Sequence, residues 1–120
     1  MDLMHVRFSP IAQVIVEVAR TPEEQATGLM GRLLLGDNQG MLFAFHQTKD
    51  QALWMENTFI PLDMIFMNEN GVVLGIVENA TPRSRAIRSI GRPSRLVLEV
   101  AGGWCARHGV RVGDRMAVVQ

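Results

Sequence analysis

The sequence predicts an α+β domain, mainly β, in which a curled antiparallel sheet of about seven strands carries two short helices. Short apolar or alternating runs recur along the chain with Gly, Pro, Asn and Asp turn chemistry between them, as in small sheet proteins. Helix signals occur at only two places, and both are brief. Strands do not alternate with long helices, which sets aside a doubly wound parallel sheet. A sheet of this size hides its edges by curling into a barrel or sandwich. The chain of 120 residues forms one domain over 1–120, long enough to bury its own core.

Asp2 to Pro10 reads as a first strand, broken at Ser9-Pro10. Val14, Val16 and Val18 alternate with Ile15 and Glu17 in a half-buried second strand. Thr21-Pro22-Glu23-Glu24 then starts a helix: Thr21 caps, Pro22 suits the first helical position and Glu24 closes a capping box. Its buried stripe is Ala26, Leu29 and Met30, and Gly31 is the expected stop, giving about 9–10 residues. Gly36-Asp37-Asn38 marks a loop. Met41 to Phe45 is apolar on both faces, as a central strand is, and His46 to Gln51 is surface-like. Ala52 to Met55 resumes extended structure, and Pro61 keeps Ile60 out of helical angles. Leu62 to Met67 and Val72 to Glu78 flank the turn Asn68-Glu69-Asn70-Gly71 as a hairpin. Thr81 to Ser94 is an exposed arginine-bearing loop. Arg95 to Val100 is a strand with Glu99 opposite in direction to Leu98 and Val100. Gly102 to His108 is a short helix closed by Gly109, and Arg115 to Val119 is the last strand.

Composition narrows the classes of function. Net charge is zero, with 48% hydrophobic and 20% charged residues, so no global field draws the chain to nucleic acid or membrane. Residues 1–82 carry four Lys/Arg against ten Asp/Glu, and residues 83–120 carry eight against two. No apolar run reaches the ~20 residues of a membrane span, and no signal-peptide pattern stands at the N-terminus. Cys105 is the one cysteine, which excludes an internal disulfide and a multi-thiolate metal site and suits cytoplasm and periplasm alike.

Five stretches in order carry a resemblance: Gly28-Leu29-Met30-Gly31-Arg32, Gly40 to Phe45, Trp54-Met55-Glu56-Asn57-Thr58-Phe59-Ile60-Pro61-Leu62-Asp63, Leu98 to Gly103 and Gly109 to Asp114. Together they resemble the DUF192 family over roughly residues 14–118. The resemblance implies a compact β-rich domain with two helices and attaches no activity, substrate or cofactor. It also implies that the chain can be the mature part of an exported protein, since many members carry an export signal. The family usually has Lys or Arg where this chain has Glu56, and often an aromatic where it has Ile87 or Ile90. If that cation contacts an anionic ligand, Glu56 weakens or reverses the contact.

The candidate chemistry centres on the Trp54–Asp63 segment, where polar groups sit among large apolar ones. Asp63 and Glu99 are carboxylates in otherwise apolar strands, and together they can act as acid and base; the commoner use is as acceptors at strand ends. Glu56, Asn57 and Thr58 can face a ligand, although Asn and Thr also staple turns. Trp54 can stack on a ligand or anchor a core. Met41, Met55, Met64 and Met67, with His5, His46 and His108, raise soft-metal binding, but no Met-x-x-Met array with interleaved His is present, and core filling is the expectation. No metal and no cofactor is expected. Cys105 with His108 is a conceivable nucleophile pair, against which a buried apolar role is favoured. Arg83, Arg85, Arg88 and Arg92 can hold an anion or an acidic partner, while the absence of interleaved aromatics argues against nucleic acid. The expectation is a non-catalytic module binding a small ligand near Trp54–Asp63, with ligand set Trp54, Glu56, Asn57, Thr58, Asp63 and Glu99. The alternatives are a hydrolase with Asp63 and Glu99 as paired carboxylates and an interaction module acting through residues 83–95.

Overall fold

A computed structural model describes all residues from Met1 to Gln120. Strands β1 (Leu3–Ser9) and β2 (Ala12–Ala19) lead into helix α1 (Pro22–Thr27), followed by β3 (Gln39–Lys49), β4 (Leu62–Met67) and β5 (Val73–Ala80). Strand β6 (Ser94–Ala101), helix α2 (Trp104–His108) and strand β7 (Ala117–Val118) complete the chain. The seven strands form one sheet in the order β5-β4-β6-β3-β2-β1-β7. Every neighbouring pair is antiparallel except β2 and β3, which run parallel. That exception follows from the connection, because α1 and the loop after it carry the chain back to the start of the sheet. The sheet curls without closing its ladder. Its C-terminal segment reaches both edges, pairing β7 with β1 and bridging Arg115 to Val72 beside β5. No helix is long and apolar enough to cross a membrane.

Each sheet face carries its own core. One buries Val14, Val16, Val18, Leu42, Ile65, Leu98 and Val100 against α2, whose Trp104 is fully buried and meets Phe8 edge-on at 6.2 Å. The other buries Met41, Phe43, Met64, Phe66 and Val97 under Leu29 and Met55, contributed by the α1 exit and the loop before β4. Alternation along a strand sends successive side chains to opposite faces, so β4 and β6 serve both cores.

Helix α1 has the expected cap: Thr21 Oγ1 accepts from the Glu24 amide at 3.1 Å, and Glu24 accepts from the Thr21 amide at 3.1 Å. It is shorter than its sequence suggests, stopping at Gly28 rather than Gly31. Gly28 takes φ +49°, and a Cβ there would stand 3.3 Å from the Phe43 ring. The turn at this glycine presses the helix exit onto β3. Strand β3 in turn outlasts its apolar stretch, pairing as far as Lys49 with residues 46–49 exposed.

Candidate functional site

Residues 52–58 lie over the second face, held from both sides. Leu53 exchanges backbone hydrogen bonds with Arg88, at 2.9 and 2.7 Å, and the Met55 amide donates to Ser84 at 3.0 Å. The Arg83 amide donates to the Thr58 carbonyl at 2.8 Å, and the Gly31 amide donates to the Asn57 carbonyl at 2.9 Å. Asn57 (φ +55°) and Thr58, whose amide donates to the Met55 carbonyl, build the turn itself. Asn57 is exposed and Thr58 buried.

Between this turn, the exit of α1 and the sheet lies a cavity of about 240 Å³, lined among others by Phe43, Phe45, Trp54, Glu56, Thr58 and Glu99. Phe43 and Phe45 project from β3 with rings stacked at 6.2 Å. Trp54 is 44% exposed. It is a wall at the surface, and the buried anchor of the fold is Trp104. The Glu56 carboxylate meets Arg85 Nε at 3.2 Å. Gln25 fixes the helix side by donating to the carbonyls of Ala19 and Ala44, at 3.2 and 3.0 Å.

Glu99 is the unusual group. It is 4% exposed, lies between Met41 and Met64 of the adjacent strands, and lines the cavity. Its carboxyl oxygens make no hydrogen bond and no ion pair within the protein, and they reach the cavity rather than being sealed from it, since the one fully enclosed polar side-chain atom without a partner is Ser94 Oγ. Burial alone pushes its pKa up to about 8.

Asp63 stands on the opposite face. Its register partner on β6 is Val100, whereas Glu99 pairs with Met64, so the two carboxylates project through opposite sides of the sheet and do not meet. Asp63 is fully buried. Its Oδ1 accepts from the amides of Asn79 (2.9 Å) and Gly103 (3.0 Å), and its Oδ2 accepts from the amide of Cys105 at 2.9 Å. Gly103, the residue before α2, has φ +83° and no side chain to cap with, so Asp63 satisfies the helix's first amides from another strand. The acid–base pair raised as an alternative therefore has no shared site; Asp63 takes the commoner role, as an acceptor of backbone amides, and does not line the cavity.

The remaining candidates sort by location. Cys105 is buried, and burial together with the Asp63 charge pushes its thiol pKa well up, the reverse of an activated nucleophile. His108 faces away from it, with Nδ1 at 2.7 Å from the Ile11 carbonyl and Nε2 at 2.6 Å from Asp37. Met41, Met55 and Met64 fill the second core and Met67 the first. In the arginine loop, Arg83 lies over the Phe59 ring at 5.0 Å, Arg85 pairs with Glu56, and Arg88 donates to Ala86 at 2.8 Å. Arg92 is exposed. Sequence reasoning missed Gln25, Phe43 and Phe45 as cavity walls. The signal for the two phenylalanines lay in the Gly40–Phe45 stretch, which converges here with Gly28–Gly31 although the two are separate in the chain.

Comparison with known proteins supports the fold and carries no activity with it. A family model described as DUF192, uncharacterized ACR, matches residues 5–118. A solved structure from Sinorhizobium meliloti 1021, described provisionally as a transcription regulator, is 37% identical with a TM-score of 0.93, the match covering 98% of this chain and 94% of that one. A protein of unknown function from Novosphingobium aromaticivorans DSM 12444 is 38% identical with a TM-score of 0.86, covering 96% of this chain and 83% of that one. Among curated proteins, none matches.

Proposed function

The chain belongs to the DUF192 family, and from that premise we propose that it is a small-ligand-binding module. Its site is the cavity between the α1 exit, β3, the 52–58 segment and Glu99. One observation carries this reading: a carboxylate buried to 4% exposure lines a cavity and is given no partner by its own chain. A polar group held in an apolar setting without a partner from its own chain costs up to about 1–3 kcal/mol. Such a group is explained when a ligand supplies the missing partner. The surroundings have the usual make-up of a small-molecule site, apolar and aromatic walls with a few polar groups.

Nothing comparable supports catalysis. A two-carboxylate hydrolase needs both groups on one side of the substrate, about 5–9 Å apart, and Asp63 lies beyond the sheet from Glu99.

Native mass spectrometry of freshly purified protein, followed by thermal-shift screening of small metabolites, tests the reading. A bound ligand raises apparent stability by mass action. The expected result is a compound class that stabilises the wild type and loses its effect in Glu99→Gln and Trp54→Ala. A screen with no stabilising compound and no retained small molecule overturns it, as does a ligand whose effect both variants preserve.

A further inference from the structure

We infer that the cavity takes a protonated organic amine, its ammonium group against Glu99 and its apolar body between the phenylalanine pair and Trp54. The inference rests on the small-ligand reading and adds the chemical class.

The ionisable side chains lining the cavity are Glu56 and Glu99, with no Lys, Arg or His among the lining residues. Arg85 answers Glu56 from outside, with 78% of its side chain exposed, and nothing answers Glu99. An anionic ligand would find no cation in the lining to answer its charge, only a Glu56 already paired with Arg85 and a Glu99 that it would hold in the protonated form. A bare divalent cation fits no better. Calcium asks for six to eight oxygens, and no group of three or more His, Cys, Asp or Glu is gathered anywhere in the chain. An ammonium head with an apolar body suits both halves of the site. Its N–H groups and charge satisfy the buried carboxylate, and aromatic faces attract a cation and pack its hydrocarbon.

The charged neighbours are few. Glu17 projects from β2 in the same cross-strand row as Met41 and Glu99, two strands from Glu99. Its charge is already met by Arg32 at 2.8 Å. From β3 and β4 only Met41 and Met64 flank Glu99, and from the covering loop comes Glu56 with Arg85.

The pairing has a pH signature. Glu99 must be ionised to hold an ammonium, and unliganded it keeps its proton up to about pH 8. Amine binding below that pH therefore releases a proton from Glu99. Affinity should rise about tenfold per pH unit from pH 6 toward 8, then level off until the amine itself deprotonates near pH ~10.

The test titrates the protein with phenethylamine, 2-phenylethanol and phenylacetate between pH 6 and 9, by calorimetry and by amide shifts at Gly28, Thr58 and Glu99. At pH 8 and above the expected order is phenethylamine first by at least about tenfold, with the rising profile below that pH. Glu99→Gln should remove that preference, and Trp54→Ala should weaken all binding. Equal binding of amine and alcohol at pH 8 and above, a flat profile from pH 6 to 8, or amine binding that survives Glu99→Gln overturns the amine class. If the alcohol or phenylacetate perturbs the cavity amides while the amine does not, the pocket reading stands and the amine inference falls. If none of the three perturbs them and the metabolite screen is also silent, both fall.

Discussion

Asp63 and Glu99 sit on adjacent strands of one sheet, both buried, and the protein treats them in opposite ways. Asp63 faces the core under α2 and accepts three backbone amides. Glu99 faces the core under α1 and the 52–58 loop and accepts none. The difference tracks what covers each face. The first is closed by a helix whose N-terminus needs an acceptor, so a carboxylate there completes the fold. The second is closed by a turn that leaves a cavity, so a carboxylate there gains no partner from the chain.

The comparison breaks most directly at Asp63. Asp63→Ala leaves three amides, that of buried Cys105 among them, without an acceptor and should cost on the order of 3 kcal/mol, read as a lower urea midpoint. A cost below about 1 kcal/mol would deny the capping role. Glu99→Gln should act in the other direction. The folded carboxyl is raised from 4.5 to about 8, so between those values the native state holds a proton that the unfolded chain has lost. The stability it contributes is full below pH 4.5 and is lost as pH rises toward 8. Glu99→Gln should remove that slope and be more stable than wild type at pH 8 by on the order of 2 kcal/mol, measured by denaturant unfolding at stepped pH. A smaller effect is expected from Trp54→Ala, which changes an exposed wall. Stability should move by less than about 1 kcal/mol while ligand-induced thermal shifts fall clearly. The smallest concerns Ser94, whose hydroxyl is the one fully enclosed polar side-chain atom without a partner and does not line the Glu99 cavity. Ser94→Ala should be neutral or stabilising by up to about 1 kcal/mol with any ligand response intact, which separates an enclosed unpaired group from one that lines the cavity.

Much of this architecture could be read before any coordinates. Thr21 and Glu24 marked the α1 start, Asn68 to Gly71 the β4–β5 hairpin, and the alternation of Leu98, Glu99 and Val100 already placed Glu99 on the other face from its neighbours. These features depend on a few residues close in the chain. The stop at Gly28 was harder to see, because it depends on Phe43 lying 3.3 Å from where a Cβ would be, a contact across fifteen positions. The parallel pairing of β2 with β3 was hidden for a similar reason, since local pattern shows that strands exist but not which way a connection returns.

The site divided along the same line. Sequence alone determined the strands and turns, the family, and the presence of carboxylates in apolar strands at positions 63 and 99, because periodicity and turn chemistry act over a few residues. Tertiary structure decided what those carboxylates meet. The amides that meet Asp63 come from residues 79, 103 and 105, and the walls around Glu99 come from residues 25–30, 43–45 and 52–58. Whether a buried charge is satisfied depends on the distance to donors from other strands and loops, and that distance is set only when the sheet curls and its two faces are covered.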